Sequence, residues 1–268
     1  RVMVCGECWL VQTDDYACVT ELFRSDYAYF SSTSTTWLDH AATYCAMIGD
    51  RLSLTEKSMV IEIASNDGYL LKNFVAAGIP CLGIEPTDST AETAEGLGIP
   101  VLRQFFGKSL AEKLASEGKL ADLIIGNNVY AHVPDINDFT IGLKIALKPS
   151  GTVTLEFPHL MNLIDFCQFD TIYHEHFSYL SLHAVCRIFE KSGLRVWDVE
   201  QLPSHGGSLR VYGCHSDDLR PDRQAVNNLL EEEKQKGLLG LSAYQSFQAR
   251  ANKIKDDLLI FLIEQKRL

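Results

Sequence analysis

Short apolar segments alternate with amphipathic segments along residues 58–216. Nearly unbroken apolar runs, such as SMVIEIA, LADLIIGNNVY and TVTLEFP, are typical of buried strands, and stretches with helical spacing of apolar residues separate them. Five such strand–helix repeats are followed by two further strands, LRVWDVE and SLRVYGCH. This order predicts an α/β fold built on a doubly wound, seven-stranded, mostly parallel sheet.

The two ends of the chain follow different patterns. Residues 1–57 contain a CxxC pair, a Tyr- and Ser-rich stretch and one helix, which predicts a small N-terminal module. Residues 217–268 are rich in charge and leucine at helical spacing, which predicts a helical arm. We therefore expect three parts, 1–57, 58–216 and 217–268, with any cofactor held by the central one.

Composition and charge narrow the classes of partner. The formal net charge is −11 and no basic run is visible, which argues against binding to nucleic acid or to an anionic membrane. No apolar run approaches the roughly 20 residues that span a bilayer, and the start has no signal-peptide pattern. We expect a cytoplasmic protein with a small-molecule substrate, present as a monomer or weak dimer.

The turn after the first central strand has the composition of a ligand-binding turn. In Glu62–Gly68, EIASNDG, small residues at the start of a helix let a ligand approach backbone N–H groups. Ala64, Ser65 and Asn66 stand where a dinucleotide fold needs glycines, so a pyrophosphate is disfavoured. Glu85 ends the second strand, where a carboxylate can accept hydrogen bonds from a ribose. A solvated acid at a strand end explains Glu85 equally well when it is taken alone.

Together with ADLIIGNNVYAHVPD, these segments resemble the motif series of class I S-adenosylmethionine-dependent methyltransferases, whose core is Rossmann-like. The resemblance implies S-adenosyl-L-methionine as cofactor. Its amino-acid end would lie on the turn, its ribose on Glu85, its adenine near residues 104–106, and its sulfonium over Asn127 or Asn128. We expect one of Phe105 and Phe106 to belong to the core. The implied cofactor-binding residues are Glu62, Ala64, Ser65, Asn66, Asp67, Gly68, Glu85, Phe105, Phe106, Asn127 and Asn128.

Proton-handling side chains are concentrated in the stretch TIYHEHFSYLSLH, residues 171–183. Ligands of open α/β sheets bind outside the carboxyl ends of the strands. A segment that begins about fifteen residues after the fifth strand can fold over such a ligand. His132, just after the fourth strand, approaches from the same edge.

The strings TIYHEHFSYLSL, LPSHGGSLRVY and EFPHL, with the CxxC start, resemble the C-methyltransferases that act on nucleotide-linked keto-deoxysugars. The resemblance extends over nearly the whole chain, and these strings are far more specific than the cofactor motifs. It implies a zinc-bearing N-terminal module, a central methyltransferase domain and a C-terminal domain. The implied substrate is a nucleotide-linked keto sugar.

Carbon methylation accounts for the residue types in this segment. A carbon beside a ketone becomes nucleophilic once a proton is removed, which needs a base of near-neutral pKa and donors to the enolate oxygen. The resemblance implies His176 as base, Glu175 as its partner, and Tyr173 and His132 as donors. Tyr27, ahead of Tyr29, matches a family tyrosine that reaches the site from the N-terminal module.

Several of these residues also have simpler interpretations. His174 and His176 form a His-x-His pair, but no third metal ligand is positioned beside it. His174 fits a packed loop better than a functional role, and His183 fits the start of the next helix. The turn at SHGG can bring His205 or Arg210 to the substrate, and plain turn chemistry explains it equally well.

Cys5 and Cys8 supply two of the four ligands that a structural zinc needs. The resemblance implies an earlier CxxC before Arg1, so we expect zinc in the full-length protein and an incomplete site here. It also implies a smaller α/β domain after Leu268, and we expect the chain to be truncated at both ends.

Three alternatives compete with a sugar C-methyltransferase. The same core could methylate oxygen or nitrogen of another small molecule, or the chain could be a zinc-ribbon interaction protein on an inactive Rossmann-like body. A nicotinamide oxidoreductase is disfavoured because the glycine fingerprint is absent. Neither non-methyltransferase alternative explains the cluster at Tyr173–His176.

Overall fold

The computed structural model describes residues 1–14 and 29–267, and its strands form two sheets. The strands are β1 (Val2–Val4), β2 (Val11–Thr13), β3 (Val60–Ile63), β4 (Cys81–Ile84), β5 (Val101–Leu102), β6 (Ala121–Asn127), β7 (Leu147–Pro158), β8 (Ser178–Tyr179), β9 (Leu194–Leu202) and β10 (Ser208–His215). The helices of the described residues are α1 (Thr35–Leu52), α2 (Leu71–Ala76), α3 (Asp88–Gly96), α4 (Lys108–Ser116), α5 (Ile136–Ala146), α6 (Leu160–Asp165), α7 (Leu182–Lys191), α8 (Gln224–Gln235), α9 (Ser242–Gln245) and α10 (Phe247–Arg267).

The larger sheet has seven strands in the order β5-β4-β3-β6-β7-β10-β9. Neighbouring strands from β5 to β7 are parallel, whereas β10 runs antiparallel to both β7 and β9. The predicted doubly wound, mostly parallel sheet of seven strands is therefore confirmed. The chain moves outward from β3 to β5 and then returns to β6 on the other side of β3. Such a switch point is where open α/β sheets bind their ligands.

Both faces of this sheet are covered, which explains its unbroken apolar strands. Along β6, Leu123 and Ile125 point into a core with α1 and α2, and Ile124 points into a second core with α4, α5 and α7. Successive side chains of a strand point to opposite faces, so a strand buried on both sides is apolar throughout. The edge strand β5 is shorter than the predicted run IPVLRQFF, since the Gln104 backbone turns back to donate to the Leu102 carbonyl at 2.9 Å.

The smaller sheet joins the N-terminal residues to the proton-handling segment, and none of its three strands was predicted. It has the antiparallel order β1-β2-β8, and β8 lies within the segment. A β-bridge between His159 and Leu180 joins the two ends of the connection between β7 and β8. The Leu160 N–H donates to the Leu180 carbonyl at 3.0 Å. The segment is thus fixed at its base and along its C-terminal edge.

Residues 217–267 contain α8, α9 and α10, and a carboxylate of α8 joins this part to the start of α7 and to the residue that follows β7. Glu233, fully buried, accepts from the Leu182 N–H at 2.6 Å and the His183 N–H at 2.9 Å, and it pairs with Nε2 of His159 at 2.7 Å. His183 lies in the first turn of α7, at the helix start that the sequence predicted. Among the described residues, no helix combines the length and the apolarity that a bilayer crossing requires.

Candidate active site

A cavity of about 870 Å³ lies outside the carboxyl ends of β3, β4, β6 and β7. Small-molecule sites range from roughly 300 to 1,000 Å³, so this one has room for more than one small ligand. One part is lined by the turn after β3, Glu85 and residues 104–106. The other part is lined by His132 and by residues of the proton-handling segment. The predicted cofactor region and the predicted reactive region therefore share one cavity.

The turn after β3 is held rigidly between a carboxylate and the N-terminal part of the chain. Ala64 and Asn66 have φ values of 56° and 49°, in the left-handed region. The Asn66 N–H donates to Oε2 of Glu85 at 2.9 Å. The Asn66 side chain accepts from the Ser31 N–H at 2.9 Å and donates to the Tyr29 carbonyl at 3.0 Å. A ligand would meet a turn whose conformation is already fixed.

The predicted cofactor residues divide into two groups. Those that line the cavity are Ala64, Asn66, Glu85, Phe105, Phe106, Asn127 and Asn128. Those that lie behind the lining are Glu62, Ser65, Asp67 and Gly68. A Cβ at Gly68, whose φ is 78°, would lie 2.5 Å from Cδ1 of Ile99, so this glycine is required by packing against α3 and its C-terminal turn. Ligand contact is not what requires it.

Glu62 is a buried carboxyl beneath the turn. Burial, reinforced by the negative charges of Glu85 and Asp67, raises its pKa well above the ordinary value. Within the described residues its Oε2 has no hydrogen-bond partner. Glu62 is therefore harder to ionise than an exposed carboxyl.

Glu85 lies at the end of β4, and only 4% of its surface is exposed. Oε1 accepts from the Thr87 N–H at 3.0 Å and from the Thr87 hydroxyl at 2.5 Å, while Oε2 accepts from Asn66. An ionised carboxylate offers about four acceptor positions, so these three bonds leave capacity for a ligand hydroxyl. The solvated strand-end interpretation does not fit this buried, cavity-facing group.

The two phenylalanines after β5 take different positions. Phe106 packs edge-on against Phe139 with ring centroids 5.2 Å apart and joins the core. Phe105 is 44% exposed at the cavity wall. One of the pair is therefore a core residue, as expected, and it is Phe106.

His176 is buried in the cavity wall with a defined tautomer. Its Nδ1 lies 2.8 Å from the Thr171 carbonyl oxygen, and because a carbonyl can only accept, Nδ1 carries the proton. The lone pair of the neutral ring is then on Nε2. Burial lowers the pKa of His176 although the bond to Thr171 opposes this. At neutral pH the residue is an unprotonated base.

Two aromatic side chains surround this base. His132 meets its ring edge to face with centroids 4.6 Å apart, and Tyr173 lies 4.3 Å away by the same measure. Burial, with a smaller contribution from His176, lowers the pKa of His132 to about 3. Burial and the charge of Glu175 raise the pKa of Tyr173. His132 is thus neutral and Tyr173 protonated at neutral pH, and Glu175 lies in the cavity wall beside them.

Another histidine of this region is absent from the cavity lining. His174 is exposed, lies outside the cavity lining and contacts the Tyr173 ring at 6.1 Å. The expectation of a packed loop histidine is therefore wrong, since the side chain points outward. Tyr27 lies outside the described residues, whereas Tyr29 lines the cavity.

Metal binding finds little support in the described part of the chain. It contains no group of three or more His, Cys, Asp or Glu side chains arranged to hold a metal ion. Cys5 and Cys8 are free thiols on the turn between β1 and β2. A structural zinc site needs four ligands, and these two thiols supply only half of them.

The SHGG turn leads into β10 and brings His205 to the cavity. His205 has a φ of 50° and meets the Trp37 ring edge to face at 5.1 Å. A Cβ at Gly207, whose φ is 110°, would overlap Nδ2 of Asn162. The glycine therefore makes room for the Asn162 side chain, and a closely approaching ligand is not needed to explain it.

Arg210 does not line the cavity, contrary to the expected substrate contact. It is 4% exposed, and its guanidinium donates to Oε2 of Glu156 at 2.7 Å. His40 lies 3.0 Å from the same oxygen, and Ser204 donates to Oε1 at 2.9 Å. Burial opposes ionisation of Glu156, yet the His40 hydrogen bond and the Arg210 charge hold its pKa below the ordinary value. Arg210 is a structural cation beneath the site.

The comparisons with known proteins agree with this geometry. Residues 37–199 match a family model described as a methyltransferase domain, over more than half of the chain. The chain belongs to this methyltransferase family. Residues 203–268 match a second model, described as a C-methyltransferase C-terminal domain. The C-methyltransferase NovU of Streptomyces niveus is 34% identical over 254 residues, which cover 95% of this chain and 60% of NovU. The chain thus spans about 60% of the length of this curated relative.

Solved structures show the same methyltransferase fold. A protein from Pyrococcus horikoshii OT3 superposes with a TM-score of 0.57 at 16% identity, covering 73% of this chain and 98% of that one. Magnesium protoporphyrin IX methyltransferase from Synechocystis PCC 6803, solved with bound SAH, gives 0.51 at 14% identity, covering 68% and 83%. At these identities the likeness concerns the fold alone.

Sequence reasoning missed part of the lining of this methyltransferase cavity. Trp37 and Tyr69 line it, with ring centroids 6.0 Å apart, and Trp37 stacks on His40 at 4.8 Å. Trp37 and His40 are three apart in α1, a spacing that places both on one helix face. The spacing could have predicted that Trp37 and His40 share one face of α1. No sequence pattern indicated that this helix face packs near the turn after β3.

Proposed function

We propose that the protein is an S-adenosylmethionine-dependent C-methyltransferase that acts on a carbon beside the ketone of a nucleotide-linked keto-deoxysugar. One observation carries the proposal: the turn after β3 with Glu85, and the cluster of His132, Tyr173 and His176, open onto the same cavity. The relationship to NovU and the match to the C-methyltransferase C-terminal model support carbon as the methylated atom.

The residues present fit the cofactor. Glu85 has spare acceptor capacity for ribose hydroxyls, and Phe105 offers an exposed ring for the adenine. Asn128 presents a buried Oδ1 that has no hydrogen-bond partner within the described residues, and it lines the cavity. An unsatisfied acceptor there suits the ammonium group of the amino-acid end. When bound, S-adenosylmethionine supplies an electrophilic methyl group.

The base in this mechanism is Nε2 of His176. The Thr171 carbonyl holds the proton on Nδ1, so the lone pair of this cavity-lining ring is on Nε2. A lowered pKa keeps the base unprotonated at neutral pH. Removing a proton from the carbon beside the ketone generates the enolate whose carbon accepts the methyl group.

The enolate oxygen needs hydrogen-bond donors, and two neutral side chains can supply them. His132 is neutral over the physiological range because its pKa is about 3, and its one ring N–H, which also hydrogen-bonds the Glu175 backbone, can be shared with the enolate oxygen. Tyr173 keeps its phenolic proton because its pKa is raised. A neutral N–H or O–H donor directed at the enolate oxygen stabilises the negative charge as it develops.

The charge of the cavity indicates which part of the substrate enters it. Within the described residues the lining contains no Lys or Arg, and it carries the carboxylates of Glu85, Asp135, Asp138, Asp170 and Glu175. A diphosphate would be repelled here, since anions are held by arginine, lysine or helix N-termini. We therefore place the sugar ring in the cavity and the diphosphate outside it.

Deuterium exchange tests the carbon-acid step separately from methyl transfer. A nucleotide-linked 4-keto-deoxysugar is incubated in D₂O with the enzyme and S-adenosylhomocysteine, which has no methyl group to give, and exchange beside the ketone is followed by NMR. We expect exchange with wild type and none above background with His176→Asn. Methyl transfer to oxygen or nitrogen without such exchange would refute the proposal in favour of the alternative methyltransferases.

A further inference from the structure

We infer that Thr13 is a positioning residue for His176, an assignment that rests on the proposed role of His176 as base. Thr13 ends β2 in the N-terminal part of the chain, 163 positions away from His176 in sequence. Its hydroxyl donates to the main-chain carbonyl of His176 at 3.0 Å. The N-terminal strand thus touches the backbone of the base residue itself.

The peptide group that joins His176 to Phe177 is held from both sides. Thr13 binds its carbonyl oxygen, and its N–H donates to the Ala131 carbonyl at 2.9 Å. Ala131 immediately precedes His132, so this peptide also links the two histidines. A peptide plane fixed at both polar groups has little freedom to rotate, which limits the direction of the Cα–Cβ bond that carries the ring.

The next peptide is fixed by the same strand. The Thr13 N–H donates to the Phe177 carbonyl at 3.1 Å, and β2 continues the pairing with Gln12 opposite Ser178. The His176 N–H donates to the Tyr173 carbonyl at 3.1 Å. These contacts are made by main-chain atoms, whereas the contact to the His176 carbonyl comes from a side chain. It can therefore be removed by substitution without breaking the strand pairing.

The ring of His176 depends on the same arrangement. Its Nδ1–H reaches the Thr171 carbonyl at 2.8 Å only while the backbone keeps its orientation. Releasing the 176–177 peptide would allow the ring to leave Thr171, and Nε2 would no longer be fixed as the lone-pair nitrogen. Displacement of a reacting group by about 1 Å can cost roughly 100-fold in rate.

Substitution of Thr13 tests this assignment on the full chain. Thr13→Val keeps the β-branched shape and removes the hydroxyl, Thr13→Ser keeps the hydroxyl, and Gln12→Val is the matched control because Gln12 is an exposed neighbour on the same strand. The protein is labelled with ¹⁵N-histidine, and the ring signals of His176 are assigned with His176→Asn. We expect the Nδ1–H tautomer in wild type, Thr13→Ser and Gln12→Val, and a mixture of tautomers in Thr13→Val.

Catalysis gives the second measurement. In the deuterium exchange described above, we expect Thr13→Val to lower kcat about 10- to 100-fold with KM within about twofold, and Thr13→Ser to recover most of the rate. An unchanged His176 tautomer in Thr13→Val would overturn the inference, as would an equal loss in Thr13→Ser. Exchange absent from wild type would refute the proposed function instead, and the tautomer measurement would still decide the role of Thr13.

Discussion

The rings of His132 and His176 meet edge to face, with centroids 4.6 Å apart, at the wall of the cavity. Their environments differ. Burial lowers the pKa of His132 to about 3, whereas the pKa of His176 is lowered less. Two titratable groups in contact whose environments separate their pKa values can take different roles. We assign proton abstraction to His176 and hydrogen-bond donation to His132.

The exchange reaction should depend on pH through His176. The unprotonated ring is the active form, and burial lowers its pKa below the 6.5 of an ordinary histidine. We expect kcat/KM for deuterium exchange to be constant near pH 7 and to fall about tenfold per pH unit at low pH, with a midpoint below 6.5. A midpoint above 6.5 would contradict the assignment.

Stability should depend on pH through His132. Its pKa is about 3 in the folded protein and near 6.5 when unfolded, so the unfolded chain binds a proton first as the pH falls. Stability from this group is complete above pH 6.5 and is lost as the pH falls toward 3. We expect the free energy of unfolding in urea to fall between pH 6 and pH 5 in wild type. The fall should exceed that of His132→Gln by about 1.4 kcal/mol per pH unit. Equal slopes would show that His132 is accessible to protons in the folded state.

Cofactor binding should depend on Glu85. Its carboxylate fixes the turn through Asn66 and has capacity left for a ribose. Hydrogen bonds to a charged group are worth roughly 1.5–3 kcal/mol, so we expect Glu85→Gln to weaken S-adenosylhomocysteine binding about 10- to 100-fold by calorimetry. Asp88→Asn is the matched control, because this nearby acid is exposed and paired with Arg103. Equal affinity in wild type and Glu85→Gln would exclude Glu85 from the cofactor site.

The main sheet and the turn after β3 could be predicted from sequence because local rules decide them. Apolar strands covered on both faces, such as β6, and the turn at Glu62–Gly68 carry their pattern within a few residues. The pairing of β2 with β8 could not be predicted, since two strands of three and two residues contain no register signal. The same holds for Arg210, whose partner Glu156 is 54 positions away, so the sequence alone did not distinguish a buried cation from a substrate contact.

Diphosphate recognition should not involve the cavity. Its lining in the described residues has carboxylates and no Lys or Arg, so the diphosphate group of a sugar nucleotide has no cationic partner there. We expect thymidine diphosphate at saturating concentration to leave the affinity for S-adenosylhomocysteine unchanged within about twofold. A tenfold loss of affinity would place the two ligands in the same space and contradict the proposed orientation of the sugar nucleotide.

Arg210 and Glu156 should act as one structural unit. Both are buried, and each neutralises the charge of the other at 2.7 Å. Removing one partner leaves an uncompensated buried charge, which costs about 3–5 kcal/mol. We therefore expect Glu156→Gln and Arg210→Met each to lower the free energy of unfolding by about that amount in urea, and the double variant to lose less than the sum of the two. Arg103→Met, which removes an exposed cation paired with Glu95, should cost much less. Additive losses would mean that Arg210 is stabilised by other groups, with His40 and Glu200 the first to test.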